Sequence, residues 1–266
     1  MAYTIALSGK GGTGKTTVAA MLVSILLENK CSSVLAVDAD PNYNLGLALG
    51  VNVQRTIADV REELMEQKLS LPQEMSKERI VEYEIQKALE ERKGFSLLTM
   101  GRPEGPGCYC YINTILRKYL DIVSSDYSYV IIDNEAGMEH LSRRTTKNID
   151  HLIVTTLPDT ASILAAERIA EITNSLPINV HKTSIIFNRI REYVPIHFAK
   201  KLEESSLPVL VSIPHDNKLE EYISAGKSLI SIASQTETYM LLSSVKDKIL
   251  STSDNKTNNV EKQCSA

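Results

Sequence analysis

The chain has 266 residues, of which 43 % are apolar and 23 % charged, enough apolar material for one large buried core or two small ones. A net charge of -4 gives no general electrostatic pull toward nucleic acid. The opening "MAYTIALSGKGG" lacks the basic and long apolar segments of a leader, and no run approaches the ~18 apolar residues of a membrane helix. These features predict a cytoplasmic protein with no membrane or nucleic-acid partner.

The first predicted strand, "YTIALS" (3–8), runs straight into "GKGGTGKTT", Gly9 to Thr17, which opens a helix over 15–28. Strand, glycine-rich loop and helix are the setting that G-x-x-x-x-G-K-[ST] requires of a phosphate loop. Gly9, Gly11, Gly12 and Gly14 let backbone N–H groups turn toward phosphate oxygens, with Lys10 and Thr13 between them, and the helix start adds positive potential. Lys15 is placed to bridge the β- and γ-phosphates, the Thr16 hydroxyl to bind Mg²⁺, and Thr17 to complete the site.

A second strand, "SVLAVD" (33–38), ends in Asp38 and Asp40. One of these could instead cap a helix, a role that suits Asn42 or Asn44 better. Residues 55–93, rich in Glu, Lys, Arg and Gln, predict one or two solvated surface helices inserted between strands. The strand "FSLLTM" (95–100) precedes "GPGCYCYINT" (105–114), where Cys108 and Cys110 sit one residue apart, and then a helix over 111–123. Two thiolates are too few to close a tetrahedral metal site, so either the missing ligands come from elsewhere or the pair is packing. Cys264, in the polar tail, reads as incidental, and Cys31, at a helix–strand junction, as a small packing residue.

Next comes "YVIID" (129–133), apolar residues ending in Asp133, the Walker B form that holds the metal's water shell. Gly137 could set a backbone N–H near the γ-phosphate, making 133–140 a nucleotide-sensing switch. Glu139 and His140 follow and could bind metal or serve as surface hydrogen-bonders. Strands at 151–156, 183–188 and 209–213 and helices at 160–174 and 236–250 complete the alternation. Continuous apolar strands alternating with helices predict an α/β P-loop NTPase, with a mostly parallel twisted sheet flanked by helices on both faces. The domain spans 1–250 and a polar tail, 251–266, is predicted to be disordered. "FNRIR" keeps Asn188 of the guanine-reading N-K-x-D pattern but has Arg191 for its aspartate, which favours ATP, with Asn188 and the backbone near Pro214 lining adenine.

The early Lys10 makes the loop resemble the deviant Walker A class of ParA, MinD and the nitrogenase iron protein. The resemblance implies a face-to-face homodimer in which Lys10 reaches the partner's phosphates. It also implies that Asp40 positions the attacking water and that Asp38 supports Mg²⁺. "GRPEGPGCYC" is similar to the "GGPEPGVGC" segment of the nitrogenase iron protein, where a cysteine there and another after Walker B hold a four-iron cluster between subunits. "DNEAGMEHLSRRT" has no such second cysteine. The Cys-x-Cys pair and "AGMEHLSRRT" (136–145) together resemble the CooC-type ATPases, which insert nickel into the cluster of carbon monoxide dehydrogenase; the resemblance covers about 1–240.

That resemblance implies a Ni²⁺ or Zn²⁺ site in which Cys108 and Cys110 meet their symmetry copies, with carbon monoxide dehydrogenase or a related nickel enzyme as acceptor. Two alternatives stay open: an iron–sulfur reductase of the nitrogenase iron protein type, and a metal-free regulatory ATPase.

Overall fold

The computed structural model describes residues 2–28, 33–66, 76–102, 126–135, 148–191 and 207–251, with Leu120, Val123, Glu204 and Ser205. Cys31, Cys108, Cys110, Gly137, Glu139, His140, Cys264 and the tail from 252 lie outside them, as does nearly all of the helix expected over 111–123.

Eight strands form one sheet in the order β10-β9-β7-β1-β5-β2-β4-β3. These are β1 (Tyr3–Ser8), β2 (Val34–Asp38), β3 (Leu89–Arg92), β4 (Phe95–Thr99), β5 (Tyr129–Asp133), β7 (His151–Thr156), β9 (Thr183–Ile190) and β10 (Val209–Pro214). Every pairing is parallel except β3 with β4. A two-residue parallel pair, β6 (Asn148–Ile149) and β8 (Asn179–Val180), stands apart. Five residues of β2, β4 and β5 in a row are buried, because helices cover both faces and no strand side has water to meet.

Alternate residues feed two cores. One gathers Ile5, Leu7, Ala36, Ile131 and Ile153 under α1 (Lys15–Leu27) and α2 (Asn44–Leu49). The other gathers Leu35, Val37, Ile132, Val154 and Phe187 under α3 (Ile57–Glu66), α4 (Lys77–Lys87) and α5 (Thr160–Ser175). Helix α1 is buried on every side from Val18 to Leu26, which explains its near-uniform apolar sequence.

Three expectations change. The 55–93 stretch does hold two helices, but they are not a solvated excursion: Ile57, Val60, Val81 and Ile85 are buried in the second core. Arg55 bridges Glu63 and Glu84 and so ties the two helices together. The stretch ends in β3, an antiparallel edge strand that turns into β4 at Lys93–Gly94, with Gly94 at φ 86°. Its sequence, "LEER", reads as surface helix because a charged edge is how a sheet margin avoids pairing with another chain.

The helix expected over 236–250 is two, α7 (Glu237–Ser244) and α8 (Lys246–Leu250), broken at Val245. Between β10 and α7, α6 (Asn217–Ser224) starts on an Asp216 cap, the carboxylate accepting from Leu219 N at 3.0 Å. Among the described residues no helix is long and apolar enough to cross a membrane.

Candidate active site

Strand β1 has β5 on one side and β7 on the other, so the chain leaves its carboxyl end where connections diverge to opposite sides of the sheet. A crevice opens at such a point in open α/β sheets. Residues 9–14 cross it and α1 begins at Lys15. The loop needs glycine at two places for reasons the neighbours make plain. A Cβ on Gly9 would fall 2.3 Å from Thr155 O, and one on Gly14, at φ 92°, would fall 2.2 Å from Asn188 Nδ2.

The loop is braced from β7 and β9. Thr13 Oγ1 donates to Lys10 O at 2.8 Å, and therefore accepts from Thr155 Oγ1, also at 2.8 Å. Asn188 Nδ2 donates to Thr13 O at 2.9 Å. Lys15 is 7 % exposed and its Nζ donates to Gly9 O and Lys10 O at 3.3 Å each, curled back onto its own loop. Lys10 by contrast is exposed at the loop surface.

The carboxylates arrive on adjacent strand ends, with Asp38 of β2 in register with Asp133 of β5. Asp133 is 1 % exposed, and neither of its oxygens has a hydrogen-bond partner of ordinary geometry. Burial pushes its pKa up to about 6, while the nearby Thr16 hydroxyl and the Lys15 charge pull it partway back. Burial beside Asp133 likewise pushes Asp38 up to about 7. Burial lowers Lys15, against the opposing pull of Asp133, Asp40 and Glu135.

Asp38 also takes the capping role that was assigned to Asn42 or Asn44. Its Oδ2 accepts from Leu45 N at 2.9 Å at the start of α2, and its Oδ1 from Asp40 N at 3.2 Å. Tyr43, in left-handed conformation ahead of that helix, offers no cap of its own. Asp40 lies nearer the opening, with Oδ1 held by the backbone N and Nδ2 of Asn42 at 2.9 Å each.

Lys15, Thr16, Asp40 and Asn42 face a cavity of about 510 Å³ that Gly12, Glu135 and Arg189 also line. A smaller one of about 140 Å³ adjoins it and brings Asn188 and Pro214 together with Thr17. A buried, unpartnered carboxylate beside a threonine hydroxyl and a lysine suits a hydrated Mg²⁺, which takes one or two carboxylates plus substrate phosphates. Asp133, Thr16 and, behind them, Asp38 would hold it. Among the described residues no group of three or more His, Cys, Asp or Glu side chains is arranged as a metal cage, and the Cys108–Cys110 pair lies outside them.

A family model, the CobQ/CobB/MinD/ParA nucleotide binding domain, matches residues 4–230. The chain belongs to the CobQ/CobB/MinD/ParA nucleotide-binding family. Members of this family are ATP-binding P-loop proteins, and the matched span, residues 4–230, takes in the loop and cleft described above. Relatives within and around the family agree in length. The chain is 39 % identical to the uncharacterized ATP-binding protein MJ0685 of Methanocaldococcus jannaschii, over 92 % of this chain and 98 % of that one. It is 28 % identical to the carbon monoxide dehydrogenase accessory protein CooC of Rhodospirillum rubrum, over 92 % and 97 %. In fold it is similar to the septum site-determining protein MinD of Pyrococcus horikoshii, solved with Mg-ADP: TM-score 0.67, 19 % identity, 98 % and 99 % covered.

Three residues at this cleft and its loop were not singled out by the sequence. Thr155 and Arg189 come from β7 and β9, far from the loop in sequence; nothing local marks Thr155, whereas Arg189 follows Asn188 in the "FNRIR" stretch, of which only Asn188 and Arg191 were used. Glu135 had a visible signal: a carboxylate two residues past Asp133, at the same sheet edge.

Proposed function

We propose that the protein is an ATP-hydrolysing, cytoplasmic metallochaperone that works as a homodimer and carries Ni²⁺, or Zn²⁺ in its place, to carbon monoxide dehydrogenase or a related nickel enzyme. The observation that carries this reading is the similarity to CooC along nearly the whole of both chains. The nucleotide cleft supplies the hydrolytic half.

In that cleft Lys15 leaves the carbonyls of Gly9 and Lys10 for the β- and γ-phosphates, a trade of two 3.3 Å bonds to neutral oxygens for charged ones. Asp133 and Thr16, with Asp38, would hold a hydrated Mg²⁺, which would supply positive charge against the phosphates. Asp40, with Oδ1 tied to Asn42, keeps Oδ2 to orient the attacking water. Lys10, exposed at the mouth, reaches the partner subunit's nucleotide. Asn188 and Pro214 line the base. Cys108 and Cys110 of the two chains supply four thiolates on the dimer axis, so metal binding and dimerisation form one linked equilibrium. Loss of the γ-phosphate relaxes residues 133–140, alters the shared thiolates and releases the metal.

Metal content and oligomeric state, measured anaerobically on wild type and Cys108→Ser/Cys110→Ser, test this. The account expects about one nickel or zinc per two chains, lost together with the metal-dependent dimer in the variant. Iron and sulfide at that ratio would replace it with the reductase reading. No metal in either protein would leave a regulatory ATPase.

A further inference from the structure

Arg189 stands on β9 with its backbone in the left-handed region, at φ 55°. Residues other than glycine rarely adopt this conformation, and it persists where neighbours hold it. Here the holder is Asn188, whose Oδ1 accepts from Arg189 N at 2.9 Å while its Nδ2 is fixed on Thr13 O. The left-handed twist and its brace therefore belong to one structure with the phosphate loop.

Their effect is to carry the Arg189 guanidinium over that loop. Its Nη1 donates to Gly12 O at 3.5 Å, a long bond to a neutral carbonyl, and the side chain is otherwise exposed. Arg189, Thr17 and Ile223 line both the 510 Å³ and the 140 Å³ cavities, so the arginine forms part of the wall between them. A guanidinium held this loosely exchanges a weak acceptor for a phosphate oxygen at little desolvation cost, and its planar fork matches that anion.

We infer that Arg189 is a nucleotide-binding residue whose guanidinium takes the phosphate oxygens of a nucleoside di- or triphosphate where the two cavities join. The inference rests on the nucleotide-cleft reading and is independent of metal delivery. Lys15 grips the phosphates from beneath, inside the loop; Arg189 closes on them from the solvent side.

Titration of Mg·ADP and Mg·ATP into wild type, Arg189→Ala and Arg189→Gly tests it. Glycine adopts φ 55° without strain, so a loss shared by both variants is the loss of the guanidinium and not of the backbone. Both variants are expected to bind ADP and ATP about tenfold more weakly or worse, at the scale of one charge-assisted hydrogen bond. ADP affinity within twofold of wild type in both variants would overturn the assignment. So would an altered preference for ATP over GTP with ADP affinity unchanged, which would place the side chain on the base. Wild-type protein that binds neither nucleotide would instead overturn the cleft reading beneath it.

Discussion

Asp133 costs the nucleotide-free protein stability. Its carboxyl group is buried and its pKa is raised to about 6, so the folded state holds a proton more tightly than the unfolded chain does. Its contribution is therefore greatest below the unfolded value near 4 and is lost as pH rises through about 6. At neutral pH the deficit is on the order of 3 kcal/mol. Asp133→Asn should accordingly melt several degrees higher than wild type without nucleotide, and should gain far less from Mg·ADP. It should also hydrolyse ATP at least a hundredfold more slowly. A variant that melts lower, or that gains as much from Mg·ADP, would show that the orphaned carboxylate is not the cation's seat. How visible such residues are in a bare sequence depends on what places them. Lys15, Thr16 and Asp133 are legible because one local pattern, strand end plus loop, sets each of them. Arg189 and Thr155 are not, because only the order β9-β7-β1 brings their strand ends to the loop.

Among the elements, the buried strands were legible and the margins were not. A parallel strand covered on both faces reads as an unbroken apolar run, and each predicted one is present within two residues. Strand β3 is charged because it is an edge, and the inner faces of α3 and α4 show only four or five apolar positions among many charges. The break at Val245 has no Gly or Pro to announce it. What holds α8 in place is tertiary: its end carbonyls receive Lys182 Nζ at 2.7 Å on Lys248 O, and Tyr3 OH at 3.0 Å on Ile249 O. His151, wholly buried, adds Nδ1 at 2.8 Å to Ile249 O.

A carbonyl only accepts, so Nδ1 carries the proton and Nε2 accepts from Ser184 Oγ at 3.1 Å. Burial lowers this imidazole to about 4. A depressed histidine contributes stability fully above its unfolded value near 6.5 and loses it as pH falls through about 4. NMR should find the His151 ring neutral, with Nδ1 protonated, at pH 5. His151→Phe should lower the amide-exchange protection of 246–251 and leave ATP affinity unchanged. A ring charged at pH 5 would contradict the clasp.

For the whole molecule, the sheet order sets chemistry at one edge. The carboxyl ends of β1, β2 and β5, with their braces from β7 and β9, all open on the same crevice, while the clasp on α8 lies at the amino ends of β1 and β7. In the proposed dimer two such crevices face each other, each chain lending Lys10 to the other's nucleotide and two cysteines to a shared metal. A half-site in each chain makes metal, nucleotide and partner mutually dependent, which is the property a carrier needs if hydrolysis is to trigger release. The measurement that tests this coupling most directly is nickel release from the metal-loaded protein to a chelator. It compares ATP with a non-hydrolysable analogue, in wild type and in Asp40→Asn. The account predicts fast release with ATP in wild type only, and retention with the analogue or in the variant. Release at the same rate under all of these conditions would contradict it, because metal transfer would then owe nothing to the chemistry in the cleft.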